Sequence, residues 1–126
     1  HYHIVITTKH RSPIFDDFKL ARIAIHCLKE SDNSELTETL SFVVMPDHIH
    51  WLFILKISPI SKCIQRMKSK FSRDTGLKIW QDGFYDHGIR NDESLVNVAR
   101  YIVCNPLRAD LAESLNHYPH WDSAWL

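Results

Sequence analysis

Residues 2–8 alternate and are rich in β-branched side chains: Tyr2, His3, Ile4, Val5, Ile6, Thr7 and Thr8. That pattern predicts a strand, because successive side chains in a strand point to opposite faces. From Asp16 the apolar positions Phe18, Leu20, Ile23, Ala24, Cys27 and Leu28 recur near helical spacing, which predicts a helix to about Lys29. Residues 31–35 are polar and read as a turn. The short apolar run over 40–45 predicts a buried strand, Pro46-Asp47 breaks it, and 48–55 resumes as a second strand, together an antiparallel hairpin. Ile60, Ile64, Met67 and Phe71 fall at i, i+4, i+7 and i+11, so a helix is expected over 60–72, started by Ser58-Pro59 and stopped before Gly76. Residues 79–89 are aromatic and irregular. A third helix opens at Asp92-Glu93 and buries Leu95, Val98, Ala99, Ile102 and Val103; Pro106 disturbs it, and a short further helix is expected over 107–115. Trp121 and Trp125 stand among polar residues with no element assigned. The order β-α-β-β-α-loop-α predicts an α+β fold with an antiparallel sheet, but the pattern does not order the strands.

Length and composition leave that picture as one domain over residues 1–126, with no linker, repeat or low-complexity stretch. Hydrophobic residues make up 44%, enough for a packed core. The apolar runs fall far short of the roughly 18–20 residues of a membrane span. No secretory leader is visible, although the first residue is not Met. Cys27, Cys63 and Cys104 are scattered and odd in number, so reduced thiols in a cytoplasmic protein are expected rather than a disulfide framework.

The 15 basic and 15 acidic residues cancel, which taken alone argues against a strongly basic nucleic-acid binder. Their distribution changes that picture. Between Lys56 and Lys78 lie seven basic residues and one acid, Asp74, a local +6. Lys62, Arg66, Lys70 and Arg73 recur at i, i+4, i+8 and i+11 and line one helix face, either a track for phosphates or an ordinary solvated surface. The acids gather elsewhere, at Glu30, Asp32, Glu35, Glu38 and Asp47.

The candidate chemistry begins with His48-Ile49-His50. On a strand the two imidazoles share a face and can converge on one divalent ion, or stand as a partly exposed structural pair. Tyr101 and Asn105 share a helix face at i, i+4. A tyrosine hydroxyl can act as nucleophile in phosphoryl transfer, and the Asn105 amide oxygen offers a third hard donor. Two imidazoles with oxygen donors suit Mg²⁺ or Mn²⁺ better than a closed zinc site. The alternative leaves Tyr101 as packing and Asn105 as a helix cap before Pro106. Tyr85 is a competing nucleophile without an i+4 polar partner; with Trp80 and Phe84 it reads as a packing or base-stacking group. His87 and Arg90 are candidates for phosphate contact, His87 equally for a structural imidazole. His3, His10, His26, His117 and His120 receive no role.

Four segments carry a family resemblance. They are Thr8-Lys9-His10-Arg11-Ser12-Pro13-Ile14-Phe15, then Val44-Met45-Pro46-Asp47-His48-Ile49-His50. Further on come Trp80-Gln81-Asp82-Gly83-Phe84-Tyr85-Asp86-His87-Gly88-Ile89-Arg90 and Ala99-Arg100-Tyr101-Ile102-Val103-Cys104-Asn105-Pro106-Leu107-Arg108-Ala109. In this order and at this spacing the chain resembles the REP-associated tyrosine transposases, relatives of the single-strand insertion-sequence transposases within the HUH (His, hydrophobe, His) endonuclease class. The resemblance implies a ferredoxin-like, RRM-like antiparallel sheet with helices packed on one face. It implies a divalent ion on His48 and His50, with Asn105 at the polar position that completes the site. Tyr101 would attack a DNA phosphate and form a 5′-phosphotyrosine link with a free 3′-hydroxyl. The substrate implied is single-stranded DNA near palindromic hairpins, handled by a monomer or a homodimer. A second copy would be expected at the outer edge of the central hairpin. Against this enzyme stand a domesticated, non-catalytic hairpin-binding protein and a structural metal protein.

Overall fold

The computed structural model describes residues 1–56, 59–89, 94–114 and 117–125. The strands are β1 (Tyr2–Thr7), β2 (Thr37–Val44), β3 (His48–Leu55), β4 (Tyr85–Asp86) and β5 (Trp121–Ser123). The helices are α1 (Phe18–Asn33), α2 (Ile60–Thr75), α3 (Leu95–Val103) and α4 (Asn105–Arg108). One antiparallel sheet has the order β4-β1-β3-β2-β5. The succession β1-α1-β2-β3-α2-β4 with β1 and β3 side by side is the expected ferredoxin-like arrangement.

Local chemistry sets the helix bounds. The Asp17 carboxylate caps α1 by accepting from the Leu20 N–H at 3.1 Å, and Ser94 does the same for α3 through Asn97. Gly76 ends α2 in the left-handed region at φ 72°, where its N–H bonds the Ser72 carbonyl. Helix α1 runs four residues beyond Lys29, through a stretch expected as a turn. Those polar side chains are used: Asp32 accepts from the Thr37 hydroxyl at 2.6 Å, the Thr39 hydroxyl at 2.9 Å and the Thr39 N–H at 3.1 Å. The same bonds explain why β2 starts at Thr37 rather than Leu40. Asp92-Glu93 lies outside the described residues, and α4 begins at Asn105, before the expected short helix.

Alternation divides the sheet. Ile4, Ile6, Ile49, Trp51 and Phe53 point to one face, where α1 and α2 add Ala24, Leu28, Ile64, Met67 and Phe71. Burying each large side chain there is worth about 1.5–3 kcal/mol. The expectation of helices on one face holds for α1 and α2. Helix α3 lies across the opposite face, where Val98, Ala99 and Ile102 pack on Val43, Met45 and Leu52. Tyr101 stands on the same helix, exposed and outside that second, smaller cluster.

The outer edge of the central hairpin, where a second copy was expected, is already paired. Ser41, Phe42 and Val43 of β2 face Ser123, Asp122 and Trp121 of β5, and flanking bonds run from Ala124 N–H to the Leu40 carbonyl and from Val44 N–H to the His120 carbonyl. Strand β5 escapes sequence reading because three residues are too few for a period. Among the described residues, no helix is long and apolar enough to cross a membrane.

Candidate active site

The hairpin turn that precedes His48 is clamped from outside. The Pro46 carbonyl accepts from Phe15 N–H at 2.9 Å, and the Asp47 carbonyl accepts from Thr8 N–H at 3.0 Å. Between these anchors His10 and Arg11 both adopt left-handed backbone, φ 56° and 54°, a conformation that costs non-glycine residues energy and concentrates at functional sites. This tight turn brings Arg11 Nε to Asp47 Oδ2 at 2.9 Å. The other Asp47 oxygen meets His48 Nδ1 at 2.7 Å. Burial alone would raise the Asp47 carboxyl, but hydrogen bonds from His48 and Arg11 outweigh it and hold the group below its ordinary value.

His48 and His50 sit on central strand β3, on the α3 face, with ring centroids 5.1 Å apart and edge to face. His50 is buried, and its Nδ1 lies 2.9 Å from Nε2 of His3 on neighbouring β1. His3 in turn stacks on His87, centroids 4.4 Å apart and nearly coplanar at 9°. Ligand atoms of His3, His50 and His87 all lie within 4.8 Å of one another. Burial, reinforced by the nearby His48, His3 and His87 and by the Arg108 guanidinium, pushes His50 down to about 3. Burial and His87, partly offset by Asp86, push His3 down to about 4. Both imidazoles are therefore neutral near pH 7, the form a metal requires.

His87 reaches this group because its loop is tied down on both sides. Its N–H bonds the His3 carbonyl at 2.9 Å, beside the two-residue pairing of β4 with β1. Behind the loop, the Lys68 ammonium donates to the carbonyls of Gln81, at 2.9 Å, and Gly83.

Tyr101 is about half exposed. Together with His3, His87, Asn97 and Val98 it lines an open cleft of about 520 Å³. The Arg108 guanidinium lies over the Tyr101 ring, 4.0 Å from its centroid, and donates to the Tyr101 carbonyl. Asn105 donates through Nδ2 to the carbonyls of Ile102, at 3.0 Å, and Tyr101, at 3.4 Å. It thus caps α3 with its nitrogen, and its Oδ1 stays outside those bonds. The Nε2 atoms of His48 and His50 are likewise outside the bonds made by their Nδ1 atoms. Imidazole nitrogens and an amide oxygen are donor types that suit a hard divalent ion. The Asp47–His48 bond is the carboxylate support that metal-ligating histidines usually have.

The basic track lies elsewhere. Lys62, Arg66, Lys70 and Arg73 line a groove of about 850 Å³ between α2 and α1, opposite Glu30, on the far side of the sheet from Tyr101. Lys70 also pairs with Asp74 at 3.2 Å. Arg90 falls outside the described residues. Sequence reasoning passed over His3, Arg11, Asp47 and Arg108. A strand register would have found His3, because Val5 faces His50 across β1 and β3, and His3 is two residues along on the same face. Arg108 stands seven residues after Tyr101, two helical turns on.

Residues 1–105 match the family model described as Transposase IS200 like. A REP-associated tyrosine transposase of Escherichia coli K12 is 29% identical over 105 residues, covering 81% of this chain. A Haemophilus influenzae relative is also 29% identical, over 100 residues, covering 66% of this chain. The chain spans 62% and 57% of the lengths of these two relatives. The fold matches the structure of a REP-associated tyrosine transposase bound to a REP hairpin, with TM-score 0.81 and 22% identity, over 95% of this chain and 74% of that one.

Proposed function

The chain belongs to the IS200-like transposase family, and on that footing we propose that it nicks and rejoins single-stranded DNA beside a palindromic hairpin, with Tyr101 as nucleophile. The observation that carries this reading is the placement of Tyr101, exposed in a cleft floored by His3 and His87 on the sheet face that also bears His48 and His50. The hairpin-bound structure that shares the fold supports the substrate class.

In the step proposed, Tyr101 Oη attacks phosphorus and forms a P–O bond while the bond to the 3′ oxygen breaks. The phenol proton passes to solvent, the leaving oxygen takes a proton, and a 5′-phosphotyrosine and a free 3′-hydroxyl remain. Attack by that hydroxyl, or by another 3′ end, reverses the step and rejoins DNA. His48, His50 and Asn105 would hold Mg²⁺ or Mn²⁺. Such an ion supplies Lewis-acid charge stabilisation at the scissile phosphate. Asp47 fixes the His48 tautomer, with Arg11 on its second oxygen, and His3 does the same for His50. Arg108, over the Tyr101 ring, is placed to meet a phosphate oxygen at the cleft.

DNA binding is assigned to Lys62, Arg66, Lys70 and Arg73, together with His87 and Arg90 from the loop segment. Because the α2 track faces away from Tyr101, its contacts would be with backbone phosphates distant from the cut, setting affinity rather than chemistry.

The test is incubation with hairpin-bearing single-stranded oligonucleotides and Mn²⁺, followed by denaturing electrophoresis. A covalent adduct that forms with the wild type and is lost in Tyr101→Phe is expected. An adduct that survives Tyr101→Phe overturns the assignment. Salt-dependent binding without any adduct would instead identify a non-catalytic hairpin-binding protein.

A further inference from the structure

We propose that His3, His50 and His87 form a second metal site, selective for a borderline transition ion of the zinc class and distinct from the His48–His50–Asn105 set.

Three observations carry it. First, the donor atoms of the three imidazoles, drawn from β1, β3 and the residue after β4, already lie within 4.8 Å of one another. Second, His3 Nε2 and His50 Nδ1 are only 2.9 Å apart. Two nitrogens bound to one tetrahedral ion at about 2.05 Å stand about 3.3 Å apart, so an ion fits after a small opening. The proton that now bridges the pair moves to the other nitrogen of the donor ring, and both imidazoles stay neutral. Third, the 520 Å³ cleft is lined by buried His3 and exposed His87 and gives an ion a route in. The same opening leaves a fourth position for water, as in three-histidine zinc sites.

The donor chemistry separates the two sites. An all-imidazole set suits Zn²⁺, Co²⁺, Ni²⁺ and Cu²⁺, whereas an amide oxygen in the set moves preference toward Mg²⁺ and Mn²⁺. His50 belongs to both. With its Nδ1 on a zinc-class ion it loses the His3 bond and carries its proton on Nε2, so the two occupancies oppose each other. Sequence spacing hides this site, because its members stand 47 and 37 residues apart.

The experiment is a Co²⁺ titration of the metal-stripped full chain, followed by visible absorption, with Zn²⁺ added afterwards. The wild type should bind one Co²⁺ with the intense ligand-field bands of a low-coordinate ion and lose them to equimolar Zn²⁺. His87 is exposed, so His87→Asn should keep the fold, checked by circular dichroism, and weaken Co²⁺ binding at least about tenfold. His3→Asn should do the same. His48→Asn should change Co²⁺ affinity by less than about twofold. Absence of such bands in the wild type overturns the proposal. So does equal weakening by His48→Asn and His87→Asn, which would place the ion on the His48–His50 pair. Mn²⁺-supported adduct formation by the same wild-type preparation reports on the nuclease reading separately.

Discussion

On one face of the sheet, Ile4, Ile6, Ile49, Trp51 and Phe53 meet two amphipathic helices and leave water nowhere to enter. On the other, the same strands present His3, His48 and His50, and the single helix α3 covers only part of the surface. Strand alternation builds both faces from one stretch of chain, so His48 and Ile49 are neighbours in sequence and opposites in role. The sealed face supplies stability. The partly open face can keep buried imidazoles because their nitrogens bond one another and Asp47 rather than being left unpaired.

The sharpest way to separate the faces is Tyr101→Phe. Adduct formation should fall below detection, while the melting temperature changes by less than about 1 °C, since Tyr101 is half exposed; a large loss of stability would break the division of labour. Its counterpart is Trp51→Ala. Trp51 is fully buried and donates to the Thr39 hydroxyl at 2.9 Å. Its truncation should cost about 3–5 kcal/mol in urea denaturation, and activity should fall only as the folded fraction falls. Next comes Asp47→Asn, which removes the charged support of His48. Mn²⁺ affinity measured by electron paramagnetic resonance should drop about 10–100-fold, with little change in global stability.

A smaller effect is expected behind the sheet. Arg66→Ala with Arg73→Ala should weaken hairpin binding and reduce the slope of log K against log salt by up to about 2. The fraction of bound DNA converted to adduct should not change. An unchanged slope would return the α2 track to an ordinary solvated surface. The smallest effect concerns His120, packed between Phe18 and Tyr118 with Nδ1 buried and unbonded among the described residues. Burial first, then Arg22, holds its pKa below the ordinary 6.5. The unfolded chain therefore takes up a proton that the folded chain refuses. The His120 contribution is present above about pH 6.5 and is lost as pH falls below it. In His120→Gln, the urea midpoint should decline less between pH 7.5 and pH 5.5 than in the wild type.

The elements themselves were largely legible. Period-2 alternation found β1, the apolar run resuming after Pro46-Asp47 found β3, and the stripe Ile60, Ile64, Met67, Phe71 found α2. The same logic put His48 and His50 on one face; Asn105, expected on the Tyr101 helix, instead opens α4 after α3 ends at Val103. Periodicity describes an element's own faces, not which side of the sheet receives it. That is why α3 and the Lys62–Arg73 track, both amphipathic, could not be assigned to opposite sides in advance. His3 was unreadable for a related reason: its partners come from β3 and from the loop after β4, and only strand register joins them. The left-handed turn at His10 and Arg11 leaves no mark in sequence either, since neither residue type calls for positive φ.

Strand β5 has a consequence for handling the molecule. By hydrogen-bonding along Ser41, Phe42 and Val43, three residues act as a seal on an adhesive edge. Peeling or deleting that seal would bare a row of backbone donors and acceptors beside Phe42 and Val43, and bared edges recruit strands from other copies. Loss of this three-residue strand should therefore show itself first as clumping in solution, before any fault in the proposed DNA chemistry is seen.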